Sequence, residues 1–211
     1  MKKVVTAIAV WALGSATAVP AAEATPLMQG GDPQAGQSIA QTCAACHGPD
    51  GNSPQGQWPN IAGQHAGYLF EQLQAFKAGE ARSNPQMAGI VSGLDETDMR
   101  NVAAFFSTQP RKIMGASDED LVERGRRIYL GGIPARGVAA CAACHGPRGK
   151  GNPAARYPAV GGQWPQYLVQ QLQQFRAGER SNDPSGMMRA LAEEMTDAEM
   201  RAVAEYMAGL N

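Results

Sequence analysis

The sequence has few aromatic residues, only 6% of its 211 positions, and few stretches rich in β-branched residues. Strands favour aromatic and β-branched residues in alternation with polar ones, so this scarcity argues against a protein built mainly from sheets. The periodic segments are dominated by Ala, Gln, Leu and Met, which favour helix. The composition therefore predicts an all-α protein.

Long apolar runs are also absent, except for Val4 to Leu13 close to the N-terminus. Two lysines precede this run and small residues follow it up to Ala22, which is the pattern of a secretory signal peptide. The run is too short for a membrane span, although an uncleaved anchor remains the alternative. We expect residues 1–24 to be a signal peptide and the mature chain to act in the periplasm.

An excess of charge of one sign is missing as well, because the formal net charge is −1. The basic residues are dispersed, so nucleic-acid binding is not predicted. Residues 25–110 carry a formal charge of −4 and residues 111–211 carry +2. This asymmetry indicates either ordinary solvated surface or a dipolar molecule that docks a different partner at each end.

The chain contains only four cysteines and three histidines, and two CxxCH motifs use all of the cysteines and two of the histidines. Two thiols one helical turn apart can reach the vinyl groups on one edge of a porphyrin, and the adjacent imidazole can reach the iron. The pattern is typical of c-type haem attachment, and zinc sites or two disulfides remain as alternatives. The predicted haem-binding residues are Cys43, Cys46, Cys141 and Cys144, with His47 and His145 as iron ligands.

The two motifs lie in an internal repeat that covers nearly the whole of each half. The repeat predicts an N-terminal domain over residues 25–112 and a C-terminal domain over residues 113–211. An insertion before the second motif, Gly131 to Val138, has no counterpart in the first half and no role that the sequence indicates. The matching segments, first half before second, are Trp58-Pro59 and Tyr157-Pro158, Gly63-Gln64 and Gly162-Gln163, Tyr68-Leu69 and Tyr167-Leu168, and Arg82-Ser83-Asn84 and Arg180-Ser181-Asn182.

Three kinds of helix are expected in each half. Asp32-Pro33 should open a helix that runs into the first CxxCH, with Asp118 starting its equivalent. Helices are also predicted over 66–78 and 165–177, and the last helix of each half should start at Asp95 and at Thr196.

Methionine is the expected sixth ligand of each iron. Met87 and Met188 recur at equivalent positions, in what we expect to be a loop that can lower a thioether onto the haem. Met187 is the competitor in the second half, although its counterpart is Gln86. Met99 and Met200 are expected in the core instead. His65 is matched by Trp164, so we expect it at the surface or near a propionate.

With these residues the chain resembles the cytochrome c4 family, dihaem bacterial proteins made of two tandem class I cytochrome c domains. The resemblance implies two covalently bound c-type haems, each wrapped by one domain, with propionates that meet at the domain interface. It also implies that the carbonyls of Pro59 and Pro158 accept a hydrogen bond from the proximal histidines.

The resemblance further implies a function. It predicts a soluble, periplasmic carrier of single electrons from a quinol-oxidising complex to a haem–copper terminal oxidase, in loose association with the inner membrane. Iron with both axial positions filled leaves no place for a small-molecule substrate, so we expect no enzymatic activity. The alternatives are a dihaem peroxidase and a haem-bearing subunit of a larger complex.

Overall fold

The computed structural model describes Met1 and residues 31–211, and the predicted signal peptide lies outside this range apart from Met1. Ten α-helices account for most of the described chain, and it contains isolated β-bridges but no strand. The all-α prediction is therefore confirmed. None of the helices among the described residues is long and apolar enough to cross a membrane.

The first half contains five helices. Their bounds are α1 Pro33–Ile39, α2 Gln41–His47, α3 Ala66–Ala78, α4 Pro85–Ser92 and α5 Glu96–Ser107. The two long helices, α3 and α5, pack against each other, while α1 packs against α5 and α4 packs against α3.

The second half also contains five helices, with the bounds α6 Val122–Gly131, α7 Ala142–His145, α8 Pro165–Ala177, α9 Met187–Glu193 and α10 Asp197–Ala208. It repeats the arrangement of the first half, with α8 and α10 in the places of α3 and α5. Short 3-10 turns precede α6 and α9, at Glu119–Leu121 and Pro184–Gly186, and another lies within the insertion at Pro134–Arg136.

Each half has its own hydrophobic core. The buried residues of one core lie between Ala40 and Phe106, and those of the other lie between Ile128 and Met207. The last helices contribute the apolar faces that the sequence predicted, since Met99 and Met200 are almost inaccessible to solvent. Two separate cores explain how the duplicated halves form two tandem domains.

The starts and ends of the long helices agree with the sequence. Helices α3 and α8 have the predicted bounds and end at left-handed glycines, Gly79 and Gly178, which is the usual chemistry of a helix C-terminus. Asp95 and Thr196 are the N-caps of α5 and α10, each in a capping box.

The helices that lead to the CxxCH motifs differ from the prediction. The first is divided at Ala40 into α1 and α2. In the second half, Asp118 caps only a short turn that leads into α6, and the motif lies on the separate helix α7. The difference in the second half comes from the insertion, in which Ile133 and Val138 exchange two backbone hydrogen bonds of 2.8 and 3.2 Å and reverse the chain.

The two halves are joined by reciprocal side-chain contacts. Gln64 accepts a hydrogen bond from the backbone amide of Ala159 at 2.9 Å and donates one to its carbonyl at 2.8 Å. Gln163 makes the same pair of bonds to Asn60, both at 2.8 Å. These glutamines recur in the sequence repeat, but the repeat alone gave no sign that each one binds the opposite domain.

Candidate haem sites

The first CxxCH motif occupies α2. Cys43 and Cys46 are half-buried and His47 is 7% exposed. The Nδ1 atom of His47 donates a hydrogen bond to the carbonyl oxygen of Pro59 at 2.9 Å. A carbonyl can only accept, so Nδ1 carries the proton and Nε2 keeps its lone pair for a metal.

The second motif repeats this geometry on a shorter helix. Cys141 precedes α7, Cys144 is exposed, and the Nδ1 atom of His145 donates to the carbonyl of Pro158 at 2.9 Å. The proline contacts implied by the resemblance are therefore present in both halves. In each half this hydrogen bond orients the imidazole and fixes its tautomer.

The electrostatics of the two motifs are also alike. Burial lowers the pKa of both His47 and His145, although the proline carbonyls act in the opposite direction. Imidazole is thus neutral at neutral pH, the form that binds a metal. Burial also raises the pKa of Cys43 and Cys141 to about 11, and the neighbouring cysteine adds to the rise.

The predicted methionine ligands lie on helices and not in loops, so that part of the prediction was wrong. Met87 is on α4, which begins at Pro85 and is capped by the side chain of Asn84. Met188 is on α9. A proline next to a capping residue signals a helix start, and this signal was available in the sequence.

The surroundings of the methionines nevertheless separate the candidates. Met87 packs against the same core cluster as Cys43, and Met188 against the same cluster as Cys141. Met187 is 37% exposed at the surface. These positions favour Met87 and Met188 as the sixth ligands, and that assignment remains a prediction.

His65 is half-buried at the place where the two halves meet. Its Nε2 atom bonds to the carbonyl of Lys150 at 2.9 Å, and the indole nitrogen of its counterpart Trp164 donates to Ser53 at 3.2 Å. The substitution of histidine by tryptophan therefore preserves a donor that crosses the interface. The pKa of His65 is lowered by burial, with the nearby Arg111 cation acting in the same direction.

The donor groups of each half suit a covalently attached haem. None of the four cysteines forms a disulfide, and residues 31–211 contain no cluster of three or more His, Cys, Asp or Glu side chains placed to hold a single ion. Each half instead offers a pair of thiols and one oriented imidazole. In addition, Arg111 Nη2 is a buried nitrogen without a hydrogen-bond partner among the described residues, as expected where an anionic group belongs.

Comparison with known proteins agrees with this chemistry. The family model described as cytochrome c matches residues 33–110 and 122–211. Cytochrome c4 of Thiocapsa roseopersicina is 44% identical over 87% of this chain and 95% of its own length. A protein named thiosulfate dehydrogenase electron acceptor, from Stutzerimonas stutzeri, is 42% identical over 81% of this chain and 80% of its own length.

A solved structure shows the same fold. Reduced recombinant cytochrome c4 from Pseudomonas stutzeri matches with a TM-score of 0.84 at 39% identity, over 86% of this chain and all of that chain. The likeness extends across both halves.

Proposed function

The chain belongs to the cytochrome c family and, within it, to the dihaem cytochrome c4 proteins, and we propose that it carries single electrons in the periplasm from a quinol-oxidising complex to a haem–copper terminal oxidase. It is a dihaem electron-transfer cytochrome with two covalently bound c-type haems. When bound, each haem supplies one-electron chemistry at its iron. The proposal concerns the partners, the compartment and the residues that serve as ligands.

The observation that supports the proposal is the pair of candidate axial ligands, one histidine and one methionine, that each half offers. A buried histidine is oriented by a proline carbonyl at 2.9 Å, and a half-buried methionine packs against the same core as the first cysteine. We assign Cys43, Cys46, Cys141 and Cys144 as the attachment residues, and His47, Met87, His145 and Met188 as the axial ligands. Two such ligands would leave no position for a substrate on the iron, which favours electron transfer over catalysis.

The role of the protein residues is to hold and orient. The thiols fix the cofactor covalently, the histidine–proline pair fixes the imidazole plane, and the core excludes water around the ligand. Ligands held rigidly in this way would need little rearrangement when the iron changes oxidation state, which suits rapid electron exchange.

The test is stopped-flow oxidation of the reduced protein by membranes that contain a haem–copper oxidase. We expect rapid oxidation that slows as ionic strength rises, because salt screens the attraction between charged surfaces. Appreciable peroxidase turnover together with failure to be oxidised would instead identify an enzyme. Rapid oxidation without salt dependence would keep the carrier role and remove charge-steered docking.

A second donor deserves a parallel experiment, because a relative of 42% identity carries the name thiosulfate dehydrogenase electron acceptor. Oxidised protein is mixed either with thiosulfate and a thiosulfate dehydrogenase, or with quinol and a quinol-oxidising complex. We expect the quinol-dependent reduction to be the faster one. Faster reduction in the thiosulfate reaction would replace the proposed donor while leaving the carrier role intact.

The compartment is tested by cell fractionation and intact mass. The periplasmic fraction should contain a chain that lacks about 24 residues, as expected for a cleaved signal peptide, and that carries the mass of two haems. Recovery of the full-length chain from the membrane fraction would support an uncleaved anchor instead.

A further inference from the structure

The two helices that carry the methionine ligands begin in different ways. In the first half, the side chain of Asn84 accepts a hydrogen bond from the amide of Met87 at 3.0 Å, and Pro85 is the first residue of α4. This is an ordinary helix N-cap. In the second half, the N-cap residue of α9 is Gly186, which has no side chain that could accept such a bond. The start of α9 must therefore be held by another residue.

The residue that corresponds to Asn84 is engaged elsewhere. Asn182 donates a hydrogen bond to the side-chain oxygen of Gln72 at 2.7 Å, and it accepts one from Nε of Arg180 at 3.0 Å. The bond to Gln72 crosses to the first half and holds this asparagine at the domain interface. The segment from the asparagine to the ligand methionine is also longer, since it spans six positions in the second half and three in the first. The second half thus needs a different cap for the helix of its ligand.

Asp183 provides that cap. Its side chain is only 2% exposed. One carboxylate oxygen accepts a hydrogen bond from the backbone amide of Arg189 at 3.0 Å, and the other accepts from Nε of the same residue at 2.8 Å. The amide belongs to the first turn of α9, where backbone donors lack a partner within the helix. Two charge-assisted bonds to one residue fix orientation as well as position, so the Asp183–Arg189 pair determines how α9 is rotated about its axis.

The turn between Asp183 and α9 is strained. Ser185 has a φ of 55° and Gly186 a φ of 70°, and serine rarely adopts this left-handed conformation. Such strain persists only where neighbouring contacts enforce it. The guanidinium of Arg189 covers the turn, since a Cβ atom on Gly186 would lie 3.5 Å from Nη2. The Asp183–Arg189 pair therefore holds both the strained turn and the helix that follows it.

Two methionines stand side by side at the start of this helix. Met188 packs against the core cluster of the second half, whereas Met187 is 37% exposed. The sulfur of Met187 lies 4.0 Å from the hydroxyl of Tyr157, whose ring centre is 6.4 Å from that of His145. Met187 is thus close to the same haem site. Successive residues of a helix point about 100° apart, so turning α9 by one residue would give Met187 the direction that Met188 now has.

We propose that Asp183 and Arg189 are positioning residues for the second haem, which select Met188 instead of Met187 as its sixth ligand. The two hydrogen bonds form in the rotation of α9 that directs Met188 into the core, and they break when the helix turns. Their free energy therefore favours one ligand state over the other. The inference rests on the ligand assignment of the proposed function and not on the identity of the redox partners.

The test is NMR of the reduced protein with ¹³C-labelled methionine methyl groups, with intact mass to verify that both haems are attached. The methyl group of a thioether bound to iron lies over the porphyrin, whose ring current shifts its resonance upfield. The unaltered protein should show two shifted resonances, one for each haem. Asp183→Ala should show a third, because its second haem takes a mixture of two ligands. Loss of one charged hydrogen bond should change the ratio of the two ligand states roughly tenfold, and loss of both roughly a hundredfold.

Removal of the competing thioether identifies the third resonance. Adding Met187→Leu to Asp183→Ala should abolish that resonance and return the second haem to a single ligand. A third resonance that survives in the double variant would not come from Met187, and it would overturn the selection. Only two shifted resonances in Asp183→Ala would also overturn it.

Milder variants keep the inference testable if Asp183→Ala fails to fold. Asp183→Asn can still accept from the amide of Arg189, as Asn84 accepts from an amide in the first half, but it loses the charged bond to Nε. Arg189→Gln loses the same bond and keeps its amide bonded to Asp183. Each variant should shift the ratio of ligand states equally, and the double variant should shift it no further. A shift in Asp183→Asn without one in Arg189→Gln would contradict a role for the pair.

Asn84→Ala is the matched control in the first half. It removes the cap of α4, but the residue before Met87 is Gln86, so no second thioether adjoins the ligand. Thermal stability should fall, while the number of shifted resonances should remain two. A third resonance in Asn84→Ala would mean that loss of any cap disturbs the ligand, and the selective role of the Asp183–Arg189 pair would be wrong.

The ligand assignment is tested separately in the otherwise unaltered protein. Met188→Leu should remove one of the two shifted resonances, and Met187→Leu should remove neither. The reverse result would overturn the ligand assignment and this inference with it. A confirmed assignment combined with only two resonances in Asp183→Ala would overturn this inference alone.

Discussion

The two halves hold the CxxCH histidine in the same way but support the motif differently. The distance from the imidazole Nδ1 to the proline carbonyl is 2.9 Å in both. In the first half the motif lies on α2, directly after α1. In the second half it lies on the four-residue helix α7, and the hydroxyl of the buried Tyr129 donates to the carbonyl of Gly146 at 2.6 Å. The ligand geometry is thus repeated, while the structure that supports it has diverged.

The helix crossing beneath the motif belongs to the repeated part. Gly36 of α1 packs directly on the backbone of α5, and Gly125 of α6 packs in the same way on α10. Four residues after these glycines, the first half has Ala40 and the second half has Tyr129. The insertion begins shortly after Tyr129. A change to a ligand should therefore affect one haem, a change to the crossing should affect either half alike, and a change to the insertion should affect the second half alone.

The largest expected effect is on a ligand. Met188→His should lower the reduction potential of one haem, so that the equilibrium constant for its reduction falls at least about a hundredfold. The reason is that thioether ligation raises the potential, and axial ligands span about 0.8 V across haem proteins. The other haem should remain nearly unchanged. The measurement is a redox titration combined with the sulfur-to-iron band of the oxidised protein in the far red.

Met99→Leu is the control for this prediction, because Met99 is 2% exposed within the core. Both far-red bands should survive in this variant. Loss of one band in Met99→Leu, or a full set of bands in Met188→His, would show that the ligand assignment is wrong.

The sequence predicted the parts of the molecule that local rules determine. The bounds of α3 and α8 and the caps at Asp95 and Thr196 follow from apolar periodicity, terminal glycines and capping boxes. The separate helix α7 could not be predicted, because it depends on the chain reversal at Ile133 and Val138. The hydrogen bonds that Arg82 donates to Tyr167 and Arg180 donates to Tyr68 were missed because the partners lie more than 80 positions away, although the recurring Arg-Ser-Asn triplet was visible.

The next effect in size concerns the helix crossing. A Cβ atom on Gly125 would lie 1.9 Å from the carbonyl oxygen of Ala202, and one on Gly36 would lie 2.1 Å from that of Asn101. Both contacts are with backbone, so the helices must separate. We expect Gly125→Ala and Gly36→Ala each to cost about 3 kcal/mol of unfolding free energy, measured by guanidinium titration followed by circular dichroism.

Gly131→Ala is a control on the same helix as Gly125, since a Cβ atom there would meet no atom within 4 Å. That variant should be neutral or slightly stabilising. A large loss in one crossing variant and none in the other would contradict the idea that the crossing is the shared part of the two halves.

The smallest effect concerns the insertion. Arg136 of the insertion donates to Glu199 at 2.5 Å, and the Glu199 carboxylate also accepts from the amide and hydroxyl of Thr196 at the start of α10. The insertion is thereby attached to the first turn of the last helix. The bond from Arg136 lowers the pKa of Glu199 to about 2, although desolvation opposes this and the contacts to Thr196 add to it.

The sign of the pH dependence follows from that shift. A carboxyl whose pKa is lower in the folded than in the unfolded chain contributes stability that is fully present above its unfolded pKa, about 4.5, and is lost as pH falls toward 2. Glu199→Gln preserves the capping box, which accepts either residue, but removes the charge. We expect it to cost about 1 kcal/mol at pH 7, after allowance for solvent screening, and almost nothing near pH 2.

The measurement is thermal unfolding across this pH range, and the matched control is Asp98→Asn. Asp98 has the equivalent position in the capping box of α5, without an arginine partner among the described residues. If Asp98→Asn shows the same loss between pH 4.5 and 2, the effect belongs to the capping box and not to the insertion, and the second half has no separate acid-sensitive support.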